Sequence, residues 1–404
     1  MKLSAFMNIT PLVDSLHLST GYDDVERSFA SDPAATVNDL IAANALKGNR
    51  LSCLRKRVLA NISDPQTAEW LWLVLSPRLL SIMVTQDKCN LACRMCGGSK
   101  GVLKYLESAS YERILQHIPT AELVTCVAGN SEPLLSPALP DLLRAASAAK
   151  VNLDIVTNGH LLSDDLIRLM LETKRPTGLN ISIDAAKNDT YRNIRGASLD
   201  HLLENLHRLK DQKLARASDC PTLSLLMVGM ADNIVELPDL VLLARELNAS
   251  RVHVDHLKGD FHPGDFTLNP EWRRFVLEAQ ELAESINIAL QLPADVGAWL
   301  HSNQENKCPS ASPAKKISCA SPMWNYCSWM DSVQIDLACS MSPCCHNSRQ
   351  LGNILEKHIS QQTDYLRYRI KNLDGRVESF CLGAKNCAYI EERRACGMVP
   401  DVFV

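Results

Sequence analysis

Cys89-Asn-Leu-Ala-Cys93-Arg-Met-Cys96 directly follows an apolar run from Leu79 to Thr85, and this junction organises the rest of the chain. It places three thiols in a C-x3-C-x2-C array at the end of a predicted strand. Such an array is typical of a four-iron cluster in which one iron lacks a protein ligand, because four irons need four ligands. A structural zinc site is the alternative, although zinc usually binds four protein ligands and no His or fourth Cys lies between residues 79 and 116.

The length and charge of the chain limit the classes of protein to which it can belong. With 404 residues, it is long enough for one large domain with smaller ones beside it. A formal net charge of −4 provides no general basic field, so we expect no nucleic-acid partner. The N-terminal residues lack the apolar core of a secretory signal, and the most apolar window, 70–84, is too short to span a membrane. We therefore expect a soluble, cytoplasmic protein without a membrane partner.

The number and placement of the cysteines are unusual for such a protein. The chain has 15 cysteines, although a reducing cytoplasm does not maintain disulfides. Three of them lie at 89–96 and nine lie at 308–396, whereas Cys53, Cys126 and Cys220 are scattered. Clustered cysteines in this context indicate metal or iron–sulfur ligation, and the scattered three are predicted to be small buried hydrophobic residues.

Three domains are predicted from the order of the local patterns. Residues 1–78 carry helical signals without a chemical motif, so we predict a helical N-terminal extension. Residues 79–300 alternate short apolar runs with amphipathic stretches, which is the pattern of βα units and a parallel sheet. Residues 301–404 begin with a polar stretch and then become rich in cysteine, which predicts a separate C-terminal domain.

The central region predicts an α/β fold, a partial (β/α)6 barrel of the TIM type. Six strands are expected at 80–86, 122–128, 152–157, 179–184, 222–229 and 251–255. Helices are expected between them at 109–118, 137–149, 163–173, 199–213 and 236–248, followed by a helix at 270–286 and a strand at 287–292. In such a sheet the active site lies at the carboxyl ends of the strands, because side chains and loops from several strands meet there. The three motif cysteines follow the first strand at this edge.

Three more motifs lie at predicted strand ends. Gly129-Asn-Ser-Glu132-Pro133 follows the second strand, Thr157-Asn158-Gly159 ends the third, and Ser182-Ile-Asp184 ends the fourth before Ile194-Arg195-Gly196. Each of these motifs on its own is more typical of an ordinary turn at the end of a strand. With the cysteine array, and in this order, they make residues 79–257 resemble the radical S-adenosylmethionine enzymes.

The resemblance implies roles for the residues of these motifs. Cys89, Cys93 and Cys96 would bind a [4Fe-4S] cluster whose open iron chelates the amino and carboxylate groups of S-adenosylmethionine. The cofactor would also contact residues at the other strand ends, namely Gly129, Glu132, Asn158, Ser182 and Arg195. Two of these assignments have an independent electrostatic reason, because Glu132 matches the ammonium and Arg195 the carboxylate of the methionine moiety. By the resemblance, Ser182 would contact the ribose or the carboxylate.

The C-terminal cysteines resemble the SPASM or twitch domain of one branch of this family, which binds auxiliary iron–sulfur clusters. The spacing of Cys327, Cys339 and Cys344 follows that domain's pattern, except that Cys339 stands in place of a glycine. The resemblance implies one auxiliary cluster with the ligands Cys327, Cys344 or Cys345, Cys381 and Cys387, and the remaining cysteines could supply a second. A zinc site is the alternative for this domain, since it would use the same thiolates.

Two sets of residues have more than one interpretation. Cys339 could donate a hydrogen atom to a substrate radical, although a cluster ligand or a packed small residue is the commoner use of such a thiol. His253, Asp255 and His256 lie near the end of the sixth strand and could remove a proton from a substrate, or they could be structural. Side-chain alternation would direct only some of them toward the barrel interior.

By the same resemblance, the chain would be a radical SAM oxidoreductase that reductively cleaves S-adenosylmethionine to methionine and a 5′-deoxyadenosyl radical. The electrons would come from a donor such as flavodoxin or ferredoxin. The radical would take a hydrogen atom from a small polar substrate, of the sugar or aminocyclitol kind, which is then oxidised or rearranged. Two alternatives stay open: a maturase that crosslinks or epimerises a ribosomally made peptide, and, from another class, a protein that binds metal without catalysis.

Overall fold

The computed structural model describes residues 77, 79–96, 100–118, 121–257, 270–293, 296, 300, 332–343, 349–359, 362, 364 and 365. Apart from Pro77, the helical extension predicted at 1–78 lies outside these residues, as does the entry to the predicted C-terminal domain, 301–331. Two compact units divide the chain between them. The larger comprises Ile82–Glu112 and Leu123–Pro313, and the smaller comprises Met1–Ser81, Arg113–Glu122 and Ala314–Val404.

A sheet with a parallel central part forms the frame of the larger unit. Its strands are β1 (Leu79–Lys88), β2 (Lys100–Tyr105), β3 (Leu123–Gly129), β4 (Asn152–Thr157), β5 (Gly178–Ser182), β6 (Thr222–Gly229), β7 (Arg251–His256) and β8 (Ala289–Gln291). Their order across the sheet is β1-β3-β4-β5-β6-β7-β8, and every neighbouring pair from β3 to β8 is parallel. The partial (β/α)6 barrel predicted from the sequence is thereby confirmed, and the short β8 continues it by one strand.

Helices follow most of these strands. They are α1 (Ser108–His117), α2 (Leu139–Ala148), α3 (Asp164–Thr173), α4 (Asn188–Arg195), α5 (Leu199–Ala215), α6 (Leu237–Glu246) and α7 (Pro270–Ser285). Serine caps begin two of them, because the Ser163 hydroxyl accepts from the Leu166 amide at 3.2 Å and the Ser198 hydroxyl from the His201 amide at 3.4 Å. None of the described helices is long and apolar enough to cross a membrane.

One helix and one strand of the larger unit were not predicted from the sequence. Helix α4 has eight residues, of which only Tyr191, Ile194 and Arg195 are buried, so its apolar pattern is too short to stand out. Strand β2 forms an antiparallel hairpin with β1 and leaves Val102 81% exposed, so it has no buried face that would produce an alternating pattern. Strand β2 follows the loop of motif cysteines, and α4 carries the motif residue Arg195. Both elements are therefore important for the site.

The two faces of the parallel sheet differ in chemistry. One face carries aliphatic residues in register, such as Ile155 and Leu179, which are fully buried in the core. The opposite face carries polar residues in register, and there Arg251 Nη2 donates to the Asn180 side-chain oxygen at 3.4 Å and to the Ser224 hydroxyl at 3.5 Å. Since the helices cover the apolar face of such a barrel, the polar face lines its interior.

The described part of the smaller unit contains a short antiparallel pair, β9 (Ser332–Ile335) and β10 (Met341–Ser342). The turn between them holds Cys339 at φ 61°, a left-handed conformation that suits glycine better than other residues. This conformation agrees with the observation that Cys339 occupies a position at which the family pattern has glycine.

Candidate active site

The three motif cysteines lie on one loop at the carboxyl end of β1. Cys93 is buried, Cys89 is half-buried and Cys96 is exposed. The loop closes in a 3-10 turn, Arg94–Cys96, where the Cys96 amide donates to the Cys93 carbonyl at 3.1 Å. The Leu91 amide donates to the Cys89 sulfur at 3.5 Å. One short, internally hydrogen-bonded segment therefore carries all three thiols.

Burial raises the pKa of two of these thiols. The pKa of Cys93 is raised to about 11, because burial disfavours the thiolate and the neighbouring Cys96 adds to this effect, although Arg195 opposes it. Burial likewise raises the pKa of Cys89. Iron ions bound at these sulfurs would lower the pKa of the thiols, because a metal ion stabilises the thiolate that binds it. Three such thiols are a donor set that suits an iron–sulfur cluster.

The arrangement of the thiols differs from that of a site for one ion. Among the described residues, no three His, Cys, Asp or Glu side chains converge closely enough to hold a single metal ion. The cysteines of a cluster each bind a different iron, so their sulfurs lie further apart than the ligands of one zinc.

Glu132 is a buried carboxylate just after β3, with 2% of its surface exposed. Three neutral donors bind it: the Thr157 hydroxyl at 2.5 Å and the Leu134 amide at 3.0 Å donate to one oxygen, and the Asn158 amide at 2.9 Å donates to the other. Burial raises the pKa of this carboxyl group, while the hydrogen bonds oppose the rise. Gly129 ends β3 three residues earlier, at the same edge of the sheet.

Asn158 joins the end of β4 to the cysteine loop. Its side-chain nitrogen donates to the Asn90 side-chain oxygen at 2.8 Å and lies 3.8 Å from the Cys89 sulfur. Gly159 follows in a left-handed conformation, φ 74°, and a Cβ there would lie 2.6 Å from a methyl carbon of Leu202. The Thr-Asn-Gly turn therefore needs glycine at its third position, and it places Asn158 against the loop.

Arg195 and Asp184 form a buried ion pair at the end of β5. Arg195 Nη2 lies 2.5 Å from Asp184 Oδ2, and the two side chains are 8% and 1% exposed. Arg195 Nη1 lies 3.8 Å from the Cys93 sulfur. Burial lowers the pKa of Arg195, but Asp184 and Cys93 raise it by more, so the guanidinium stays charged. Its Nε is buried without a hydrogen-bond partner among the described residues, which leaves one donor available to an anionic group of a ligand.

Ser182 is the last residue of β5 and is half-buried. It is paired in register with Leu226 of β6, so it lies on the polar face of the sheet together with His253 of β7. Asp255 lies on that same face, whereas His256 alternates to the other face. Of the three residues on β7 that the sequence singled out, two therefore line the barrel interior near its carboxyl end.

The structure adds residues that the sequence patterns did not single out. Asp184 holds Arg195, and Thr157 holds Glu132, as described above. Tyr191, fully buried on α4, shares a hydrogen bond of 2.8 Å with Nε2 of His160. Burial lowers the pKa of His160 to about 4, so its ring is neutral near pH 7. These pairs join residues on different strands and helices, and spacing in the sequence gives no signal for them.

The predicted auxiliary ligands Cys327, Cys344, Cys345, Cys381 and Cys387 lie outside the described residues. Cys339, the predicted hydrogen donor, is buried in the smaller unit. The residues predicted for the cluster and for S-adenosylmethionine all belong to the larger unit, and contacts join Glu132 to Asn158, Asn158 to the cysteine loop and Arg195 to Cys93.

Comparisons with known proteins agree with this geometry. The sequence profile of the family described as the Radical SAM superfamily matches residues 83–244. The chain is 23% identical to the PqqA peptide cyclase of Gluconobacter oxydans over 190 residues, 45% of this chain and 50% of that protein. It is 30% identical to the GTP 3′,8-cyclase of Chlorobaculum tepidum over 173 residues, 39% of this chain and 47% of that protein. The chain thus spans about half the length of the curated relatives it matches.

A solved structure extends the comparison over more of the chain. Streptococcus suis SuiB bound to its precursor peptide SuiA superposes with a TM-score of 0.57 at 15% identity, and the match covers 96% of this chain and 82% of that chain. At this level of identity the similarity establishes the fold alone.

Proposed function

We propose that this chain, whose residues 83–244 match the Radical SAM superfamily, is an enzyme that uses S-adenosylmethionine to take a hydrogen atom from its substrate. The observation that carries the proposal is the meeting of three thiols, a buried carboxylate and a buried guanidinium at one edge of the sheet. The thiols and the carboxylate follow β1 and β3, where ligands bind in parallel α/β sheets, and the guanidinium lies at the end of α4, the helix that follows β5.

We propose that Cys89, Cys93 and Cys96 bind a [4Fe-4S] cluster and that S-adenosylmethionine binds beside it. When bound, the cluster and S-adenosylmethionine together supply a 5′-deoxyadenosyl radical that can take a hydrogen atom from carbon. The task of the protein is to hold these groups in place and to exclude water.

The charged residues of the site fit the zwitterionic methionine moiety. Glu132 presents a carboxylate bound by neutral donors alone among the described residues, so it can pair with the ammonium. Arg195 already pairs with Asp184 and keeps Nε available for the carboxylate. Gly129 would allow a close approach of the backbone, and Asn158 and Ser182 complete the set of proposed cofactor contacts.

For the substrate we propose a small polar molecule. The face of the sheet that lines the barrel interior carries polar residues near its carboxyl end, among them Ser182, His253 and Asp255. Hydroxyl and amine groups of a substrate would find hydrogen-bond partners there. Related proteins also include enzymes named for small molecules, such as the GTP 3′,8-cyclase, and a substrate of the sugar or aminocyclitol kind suits the same face.

A peptide is the second candidate substrate. The observation that favours it is the superposition of 96% of this chain on SuiB bound to its precursor peptide. The PqqA peptide cyclase, a relative that matches 45% of this chain, is also named for a peptide. In this case the reaction would be a crosslink or an epimerisation, and Cys339 would be the proposed hydrogen donor for the latter.

We also propose an auxiliary iron–sulfur cluster in the C-terminal region, held by Cys327, Cys344 or Cys345, Cys381 and Cys387. Such a cluster beside the substrate could accept one electron from the radical product, so that the net reaction is a two-electron oxidation. Flavodoxin or ferredoxin is the proposed electron donor to the first cluster.

Anaerobic reconstitution with iron and sulfide tests the proposal. We expect the protein to convert S-adenosylmethionine to methionine and 5′-deoxyadenosine when dithionite is added, and the variant with Cys89, Cys93 and Cys96 replaced by Ala to form neither. The iron content of this variant would show how much iron the proposed auxiliary cluster binds. A protein that carries iron and sulfide but never yields 5′-deoxyadenosine would instead be a metal-binding protein without this activity.

The same assay distinguishes the two substrate classes. An extract of cells that express the protein should increase the rate of 5′-deoxyadenosine formation. If the stimulating component passes a small-pore filter and survives protease digestion, it is a small molecule. If protease destroys it, the substrate is a peptide and the first candidate is wrong.

A further inference from the structure

The connection between β6 and α6, residues 230–236, contacts the cysteine loop through an ion pair. Asp232 Oδ2 lies 2.5 Å from Nη2 of Arg94, and the two side chains are 46% and 47% exposed. Arg94 lies between Cys93 and Cys96, within the 3-10 turn that carries the last of the three thiols. The ion pair therefore ties the second half of the cysteine loop to the β6–α6 connection.

The next residue of the connection, Asn233, fixes the turn that contains Asp184. Asn233 is fully buried, and its side-chain nitrogen donates to the backbone oxygens of Asp184 at 2.8 Å and of Val228 at 2.9 Å. Its side-chain oxygen accepts from the Met230 amide at 2.7 Å. The Val228 amide in turn donates to Asp184 Oδ1 at 2.7 Å. Both the backbone and the carboxylate of Asp184 are thus held by the end of β6.

Glu236, at the end of the connection, fixes the start of α4. It is 3% exposed and accepts from the Ala186 amide at 2.9 Å, the Lys187 amide at 3.0 Å and the Thr190 hydroxyl at 2.5 Å. Helix α4 ends at Arg195. The helix is therefore held at its first turn by Glu236 and at its last residue by Asp184.

These contacts divide the support of the cysteine loop between two parts of the barrel. The first half of the loop is held from β3 and β4, where Asn158 binds Asn90 and the Glu132 amide donates to the Lys88 carbonyl at 3.3 Å. The second half is held by Asp232. The segment that holds the second half also holds Asp184, and through it the Arg195 guanidinium beside Cys93.

We propose that Asp232 and Asn233 are positioning residues that keep the Cys93–Cys96 half of the loop and the Asp184–Arg195 pair in one fixed relative position. This inference rests on the proposed function, because the fixed position matters if Arg195 binds the carboxylate of S-adenosylmethionine while the cysteines hold the cluster. A shift of either partner would then misalign the two ends of one ligand.

An ion pair as exposed as Arg94–Asp232 contributes little to the stability of the fold, because solvent screens it. Removal of the Asp232 charge should therefore loosen the cysteine loop but leave the protein folded. A matched control is the Arg168–Asp165 pair on α3, which also has an N–O distance of 2.5 Å and exposed side chains but no contact with the site.

The test uses the reconstituted protein with the substitution Asp232→Asn, and Asp165→Asn as the control. We expect Asp232→Asn to keep the melting temperature and the iron content of the wild type, and to bind S-adenosylmethionine about three- to ten-fold more weakly. The electron paramagnetic resonance spectrum of the reduced cluster should respond differently to S-adenosylmethionine. Hydrogen exchange at residues 89–96 of the cluster-free protein should be faster. Asp165→Asn should match the wild type in all five measurements.

Two further variants keep the inference falsifiable. Arg94→Gln removes the other partner and should reproduce the loss, and the exchanged pair Arg94→Asp with Asp232→Arg should restore most of the affinity. Unchanged affinity, spectrum and exchange in a folded Asp232→Asn protein would overturn the inference, as would a folded exchanged pair without recovery. A wild-type protein that does not bind S-adenosylmethionine would refute the proposed function instead.

Discussion

Glu132 and Asp184 are both buried carboxylates at the carboxyl edge of the sheet, but the chain holds their charges in different ways. Asp184 faces the Arg195 guanidinium at 2.5 Å, so its charge is matched within the protein. Glu132 accepts hydrogen bonds from a hydroxyl and two amides, and its burial raises its pKa. The charge of Asp184 is thus neutralised within the pair, whereas Glu132 would gain from a cation that none of the described residues supplies through a direct contact.

The largest effect is expected when the matched pair is broken. Arg195→Met leaves the Asp184 carboxylate buried without its partner, so the free energy of unfolding of the cluster-free protein should fall by about 3–5 kcal/mol. Urea denaturation under a metal chelator measures it. The double variant with Asp184→Asn should recover part of the loss, and Arg168→Met, which removes an exposed pair, should cost no more than about 1 kcal/mol. A small loss for Arg195→Met would mean that Asp184 does not depend on this partner.

The next largest effect is expected at Glu132, whose carboxylate has neutral hydrogen-bond donors but no ion pair among the described residues. Glu132→Gln removes the charge that would pair with the ammonium of S-adenosylmethionine, so the dissociation constant should rise by at least about 30-fold, or about 2 kcal/mol. Equilibrium dialysis of the reconstituted protein measures it. The iron content should not change, because Glu132 is not a proposed cluster ligand, and Glu172→Gln on the exposed face of α3 is the control. An unchanged dissociation constant would remove Glu132 from the site.

A smaller effect is expected from one of the neutral donors. Thr157→Val removes the hydroxyl that donates to Glu132, and the free energy of unfolding should fall by about 1 kcal/mol. The affinity for S-adenosylmethionine should fall less than in Glu132→Gln, because the carboxylate keeps its charge and two amide donors. Thr222→Val, at the exposed start of β6, should leave both quantities as they are. If Thr157→Val weakens the binding of S-adenosylmethionine as much as Glu132→Gln does, the Thr157 hydroxyl does more than hold the Glu132 carboxylate in place.

The smallest effect is a pH dependence with a defined sign. The folded state raises the pKa of Glu132 above the ordinary value of 4.5, so it binds this proton more tightly than the unfolded chain does. The contribution of Glu132 to stability is therefore best at low pH and declines as the pH rises through the folded pKa. Without its cluster, the Glu132→Gln variant should gain stability relative to the wild type as the pH rises from the ordinary value of 4.5 through the raised pKa of Glu132 in the folded state. A constant difference in urea denaturation would contradict the raised pKa.

The strands and most helices could be predicted because burial leaves a periodic pattern in the sequence. The predicted strands at 152–157 and 222–229 match β4 and β6 residue for residue, since each is an apolar run between turn residues. Helix α4 and strand β2 could not be predicted in this way. Helix α4 is mostly polar, and β2 is a hairpin strand with an exposed surface. Neither therefore has the apolar periodicity that marks a buried helix or strand in a sequence.

The site could be predicted in part for a similar reason. Glu132 and Asn158 directly follow strand ends, and the carboxyl ends of parallel strands must meet, so their proximity follows from the fold. Arg195 ends helix α4, which was not predicted, so its place in the site was taken from the resemblance to the family alone. The partners of these residues do not follow from the fold. Asp184 lies eleven positions before Arg195, and Asp232 lies far along the chain from Arg94, so these pairs depend on the path of loops that only the three-dimensional structure provides.

The hairpin of β1 and β2 also affects how the protein behaves in concentrated solution. Among the described residues β2 pairs with β1 alone, and it exposes Val102 and Tyr105. A free strand edge with apolar side chains is a template on which a second molecule can add its own strand. Lys88 lies exposed on the same hairpin, and its repulsion between two molecules weakens as salt screens it, whereas the charge of Lys104 is balanced by Asp87 at 2.6 Å. Aggregation through this edge should therefore increase with ionic strength, and dilute buffers should keep the protein dispersed.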